Sequence, residues 1–251
     1  MKALLSYRKI LEIGGVVAGV VLIALGVVTL VMGTNGRSTV QSNLKEEYIF
    51  GSSDMYPAGI ATAVEEVQAS QQKIMAAREK AGVPPIELTS VSAPGCSVYD
   101  AEKEQGLAIS NGDRARCFAQ YMRIHALESS GGLTYSQMGR FVAKPDAPPK
   151  FTDFNGGTSD SEYAAVNPDT DQPVANAARN TWVTETALTS ALNLAYAAEQ
   201  ISLFGIVVGV TLLLSGIGFL VLALGGALRG VAAMAPKLDR PSVGSPEPRG
   251  V

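Results

Sequence analysis

The sequence predicts an all-α membrane protein. Two transmembrane helices flank a mostly helical extracytoplasmic domain with long loops, and the last outer helix is continuous with the second span. Three observations in the 251-residue chain lead there. Two apolar blocks without a charge lie near its ends. The stretch between them is polar and acidic, with apolar stripes at helical spacing. No strand pattern in that stretch is strong enough to add a sheet.

The first block, Ile13 to Gly33, has 21 residues, and the second, Ile201 to Leu228, has 28. A helix rises about 1.5 Å per residue and the hydrocarbon core is about 30 Å thick, so about 20 residues suffice to cross it. Tilt or an extension past the interface absorbs the spare length of the second block. The apolar core of the first is longer than the roughly 7–15 residues of a cleaved signal peptide, and no clean A-x-A pattern follows it, so it reads as an uncleaved anchor. A buried core helix is a poor account of the second, which is too long for a small soluble domain.

Basic residues near the block ends set the orientation. Lys2, Arg8 and Lys9 stand against Glu12 before the first block, and Arg229, Lys237 and Arg240 against Asp239 after the second. The positive-inside rule then puts both tails, 1–12 and 229–251, in the cytoplasm, and 34–200 outside the plasma membrane. The second tail contains four prolines and reads as disordered. Between the blocks lie 13 Lys and Arg against 20 Asp and Glu, an excess of acid that argues against a nucleic-acid partner.

The two cysteines, Cys96 and Cys117, both fall in the outer stretch. An even count in an oxidising compartment reads as one disulfide, with two free thiols or a metal pair as the alternatives. One histidine and two cysteines do not complete a four-ligand zinc set without carboxylates.

Along the outer stretch, Thr34-Asn35-Gly36-Arg37 is turn-like. Asp54 as N-cap and Pro57 in the first turn open a helix over about 57–81. Its stripe is Ile60, Val64, Val67, Ile74 and the stem of Arg78. Gly82 and Pro84-Pro85 end it. After an irregular segment, Ser110 and Asp113 nearly match a capping box for a helix over 111–129 with the stripe Phe118, Tyr121, Met122 and His125. Thr134-x-x-Gln137 opens a short helix to about Val142. Residues 143–172 read as a long loop, with Phe151, Phe154 and Tyr163 as the residues that tack it down. From about Val174 the pattern is helical again. It passes through Trp182, Leu188 and Leu192 into Ile201 without Pro or Gly, so about 27 outer residues would form a stalk of roughly 40 Å.

Little in the chain carries chemistry. His125 is the only histidine, with Glu128 one turn on, a spacing at which the pair serves as base or ligand. Its place on an apolar stripe favours a packed or capping histidine instead. A G-x-S-x-G context, a P-loop and a dinucleotide fingerprint are all missing, so no cofactor is expected. Gly15-x-x-x-Gly19 and Gly205-x-x-x-Gly209 have the spacing that lets membrane helices approach closely, within one chain or between chains.

The run His125-Ala126-Leu127-Glu128 with Gly131-Gly132-x-Thr134-Tyr135, and Trp182-Val183-Thr184 before the second block, resembles a group of small actinobacterial two-pass membrane proteins. Some of them carry the label of aromatic ring-opening dioxygenase. That label implies an active-site metal centre that a single histidine does not supply, so the resemblance implies an architecture and a lineage rather than an activity. The expected function is therefore a non-enzymatic scaffold or interaction module of the cell envelope. Its expected partners are membrane lipid and either a second copy or another envelope membrane protein. A sensor or ligand-binding module is the alternative, and an enzyme using His125 and Glu128 the third reading.

Overall fold

The computed structural model describes residues 2–225 except Phe154; the expected end of the second span and the disordered tail at 229–251 lie outside the described residues. Four α-helices dominate: α1 Lys2–Glu46, α2 Pro57–Lys80, α3 Gly112–Ser129 and α4 Ala177–Leu224. Six two-residue strands accompany them: β1 Tyr99–Asp100, β2 Gln105–Gly106, β3 Phe141–Val142, β4 Gly157–Thr158, β5 Val166–Asn167 and β6 Gln172–Pro173. They form three antiparallel pairs, β1 with β2, β3 with β4 and β5 with β6. The chain divides into two compact units: Thr34–Leu203, and the segments before Thr34 and after Leu203.

The second of these units is an antiparallel pair of helical segments. Both α1 and α4 are long and apolar enough to cross a membrane. Their contact is made by small residues seven apart. Gly19, Gly26 and Gly33 on α1 are buried, as are Gly209, Gly216 and Ala223 on α4. A Cβ on Gly19 would lie 2.9 Å from the Gly216 carbonyl, and one on Gly26 would lie 2.9 Å from that of Gly209. Each glycine thus lets one main chain touch the other, and a seven-residue repeat keeps such contacts on one face. Of the glycines singled out by four-residue spacing, Gly19 and Gly209 lie in this seam. A Cβ on Gly205 would meet Gly33 at an ordinary 3.6 Å, and Gly15 is half-buried.

In Thr34–Leu203, α2 packs on α3. One cluster joins Leu44, Ile60, Val64, Val98, Ile109, Phe118, Tyr121 and Leu192. A second joins Val67, Ile74, Leu127, Leu133, Met138 and Trp182. The stripe on α2 is completed by Gln71, which is buried and donates to the carbonyls of Thr89 (2.9 Å) and Gly132 (3.2 Å). α3 starts one residue later than expected. Asn111 caps it, its Oδ1 accepting from the Arg114 amide at 2.9 Å. Gly131 and Gly132 end it with φ of 65° and 86°, and the Gly132 amide reaches back to the Leu127 carbonyl at 2.7 Å. Cys96 and Cys117 form a disulfide that ties the irregular segment to α3, and the Tyr121 hydroxyl donates to the Cys96 carbonyl beside it.

Four local expectations change. The Thr34–Arg37 segment continues α1 rather than turning, because Arg37 and Gln41, one helical turn apart, both donate to Glu199 of α4. Asp54 lies in a 3₁₀ turn at Ser53–Met55, and α2 begins without a side-chain cap. The Thr134–Gln137 capping box forms but closes only a 3₁₀ turn. There Gly139 lies so close to Gly157 and Thr158 that a Cβ would meet the Thr158 amide, and the chain extends into β3 instead of a helix. The 143–172 segment holds strands β4 and β5. Asp153 organises it by accepting from the amides of Gly139 (2.6 Å), Asn155 (2.8 Å) and Gly157 (2.7 Å). Phe151 stacks on Tyr163 at 4.6 Å.

α4 starts after Asn176, whose Oδ1 accepts from the Ala178 amide while its Nδ2 donates to the Gly139 carbonyl. From there the helix is unbroken to Leu224.

Candidate functional site

In the unit Thr34–Leu203, α4 buries its acidic residues and presents one apolar stripe among its exposed residues, whereas a surface helix of a water-soluble domain turns its charges outward. The buried side of α4 carries Trp182, Glu185, Thr189, Leu192 and Glu199. Its exposed side carries Val183, Ala187, Ser190, Leu194, Ala197 and Ile201. Residues 186–198 include no charge at all. Trp182, Leu188 and Leu192 mark the inward side in the sequence, and the second, outward stripe runs beside them. Its steps of four and three were the available signal. Near the upper end of the stripe, Tyr135, Trp182, Val183, Thr186, Ala187 and Ser190 line a depression of about 450 Å³. The Arg179 guanidinium lies 3.9 Å from the centre of the Tyr135 ring.

On the other side of α4, a groove of about 380 Å³ separates it from α3. α3 contributes Met122, His125, Ala126 and Ser129, and α4 contributes Thr181, Thr184, Glu185 and Leu188. Each set has the spacing i, i+3, i+4, i+7, so one stripe from each helix forms a wall. The hydroxyls of Ser129, Thr181 and Thr184 are turned to carbonyls of their own helices, which leaves His125 and Glu185 as the ionisable side chains of the wall. The His125 Nδ1 lies 3.0 Å from Glu128 Oε2, and its Nε2 lies 3.3 Å from Asp54 Oδ2. The latter pair is close enough for charge attraction, but its angle is not that of a hydrogen bond, and Nε2 is buried without a hydrogen-bond partner among the described residues. The pairing with Glu128 follows from the three-residue spacing, whereas Asp54 arrives from a distant turn. Both ring nitrogens therefore face carboxylates rather than a hydroxyl or thiol nucleophile.

Glu185 is only 3% exposed. Its Oε2 accepts weakly from the Thr186 hydroxyl at 3.4 Å, and its Oε1 has no hydrogen-bond partner among the described residues. Burial pushes its carboxyl above the ordinary value, while the charge of Arg123 and the hydroxyls of Thr186 and Thr189 pull it partly back. Nothing in the sequence singled it out, since an acidic residue in a polar helix reads as solvent-facing. A pH dependence follows. Below about the ordinary value of 4.5 the folded and unfolded chains both carry this proton. As pH rises above it the unfolded chain releases the proton first, so stability falls until the folded carboxyl ionises too. Thermal unfolding between pH 4 and 8 is expected to show this decline in the parent protein and a flatter profile in Glu185→Gln. An identical slope in both would assign the decline to other groups.

Among the described residues, no group of three or more His, Cys, Asp or Glu side chains is arranged to hold a metal ion. No known protein family, curated protein or solved structure matches the chain.

Proposed function

We propose that the protein is a non-enzymatic integral membrane protein of the cell envelope, a scaffold or interaction module that engages a partner helix along the outward side of α4. The observation that carries this reading is the uncharged exposed stripe Val183, Ala187, Ser190, Leu194, Ala197 and Ile201. A helix facing water normally turns its charges outward. Here the two acidic residues of that stretch, Glu185 and Glu199, are buried and the aliphatic residues are exposed. The alternation of four- and three-residue steps is the spacing of a helix-pairing seam. Alanine and serine within it leave room for a close neighbour. That neighbour is a second copy of the chain or another membrane protein of the envelope.

The anchoring half of the proposal rests on the two apolar helices. Their large side chains, among them Val17, Val28, Met32, Phe204, Val207 and Leu214, face outward, where hydrocarbon would solvate them and water would not. Basic residues flanking the blocks support cytoplasmic termini in the plasma membrane, and the disulfide suits an oxidising compartment for Thr34–Leu203.

The test is cross-linking from an introduced cysteine in intact cells with a membrane-impermeant maleimide–succinimidyl ester, which joins the cysteine to a neighbouring amine. Ser190→Cys and Leu194→Cys are expected to give a defined adduct, at twice the chain mass for self-association or at another mass for a different partner. Glu66→Cys, on the exposed side of α2, is expected to give none. Labelling of neither α4 cysteine from outside would refute the topology. Labelling without any adduct would refute the interaction surface.

A further inference from the structure

The groove between α3 and α4 lies on the opposite side of α4 from the proposed interaction stripe, so what it does stands or falls separately. Its volume of about 380 Å³ is at the small end of cavities that hold organic ligands. Met122, Ala126, Leu188 and the methyl groups of Thr181 and Thr184 give it an apolar lining. Against that lining stands a nearly fully buried carboxylate oxygen, Glu185 Oε1, with no donor among the described residues. Buried polar groups are satisfied in nearly every folded protein, and a buried carboxylate without a donor is costly, so such an atom in a cavity wall marks a missing partner.

The character of that partner follows from its surroundings. It must donate a hydrogen bond to Oε1. A positive charge also suits the site, because it pairs with the Glu185 carboxylate, on which Arg123 acts only through its charge while its guanidinium also sits 5.3 Å from the centre of the Trp182 ring. No Phe, Tyr or Trp ring lines the groove, so it lacks the cage that recognises quaternary ammonium groups. Met122, Ala126 and Leu188 offer an aliphatic surface beside Glu185.

We propose that this groove binds a primary ammonium group carried on an apolar body, the ammonium donating to Glu185 Oε1 and the aliphatic part lying along Met122, Ala126 and Leu188. A free alkylamine and the ethanolamine headgroup of a lipid share that chemistry.

The experiment uses the full chain in an amine-free maltoside detergent and buffer, with n-hexylammonium as probe. Its binding is measured by titration calorimetry and by the rise in unfolding temperature. A neutral analogue of the same length, n-hexanol, is the comparison. The expected result is saturable hexylammonium binding, at least tenfold weaker hexanol binding, and a loss of at least tenfold in hexylammonium affinity for Glu185→Gln. Thr184→Trp, at the exposed rim, fills the groove without entering the core and is expected to lose binding as well; a cooperative melt of each variant establishes that it is folded. The proposal is overturned if hexylammonium does not bind, if hexanol binds as well, or if folded Glu185→Gln binds within twofold of the parent. A second arm compares bilayer discs of phosphatidylethanolamine and phosphatidylcholine. Hexylammonium binding lost only in the ethanolamine lipid supports the site with a headgroup as its occupant, and equal binding in both supports it with a free amine.

Discussion

Glu199→Ala is expected to lower the stability of the unit Thr34–Leu203 by about 4 kcal/mol, since hydrogen bonds to a charged group contribute about 1.5–3 kcal/mol each and their buried partners are left unsatisfied. Glu199 is 4% exposed and serves three donors at once. Its Oε1 accepts from Arg37 Nε at 3.0 Å and from Gln41 Nε2 at 2.7 Å, both on α1. Its Oε2 accepts from the Gly112 amide, the first residue of α3. That amide is one of the unpaired donors at a helix start, and a carboxylate there also meets the positive end of the helix dipole. The Arg37 side chain is 45% exposed, so the charge pair itself adds little and the Gly112 and Gln41 bonds dominate. Glu199→Gln keeps one acceptor oxygen and is expected to lose about half as much. Denaturant unfolding of the three proteins in the same detergent checks the order. A loss below about 1 kcal/mol for alanine would mean that water takes the place of the carboxylate.

The double variant Cys96→Ser/Cys117→Ser is expected to lose about 3 kcal/mol, the chain-entropy value for a closed loop of this size. The two residues are 21 positions apart in sequence and 6.0 Å apart at Cα. Between them the chain forms β1 and β2, a pair too short to hold itself together, so the covalent link and the Tyr121–Cys96 hydrogen bond add to the packing of Val98 and Ile109 and to the Arg114–Ala108 hydrogen bond in tying it to α3. The loss should appear equally when the parent protein is unfolded under reducing conditions. If reduction destabilises the parent but the serine variant matches the oxidised protein, the effect belongs to the thiols and not to the missing link.

The features that were legible in the sequence are those set by neighbours along the chain. The stripe Ile60, Val64, Val67 and Ile74 is buried in α2, and Gly131-Gly132 stops α3 through positive φ. The Thr134–Gln137 box also forms, but a capping box specifies a helix start and not its length. What followed was decided by Gly139 against Thr158, a contact across the chain that local sequence does not announce. The strand pairs were illegible for a simpler reason: two residues are too few to display alternation. Asn35-Gly36 has the composition of a turn, yet α1 runs through it, held by Glu199 more than 150 residues away. In the groove, the His125–Glu128 pair could be read from helical spacing, whereas Glu185 could not. What distinguishes that residue is burial against α3, and a lone acid among threonines gives no hint of it.

The seam between Gly19, Gly26 and Gly33 and Gly209, Gly216 and Ala223 has a consequence for how the helix pair responds to its surroundings. Contacts made by main chain against main chain contain nothing that titrates, oxidises or is screened by salt. Leu220, Leu213 and Ile23 lean over the glycines of the seam, while other aliphatic side chains remain on the perimeter, so in a bilayer the thickness and order of the lipid would be the variables to which the pair responds.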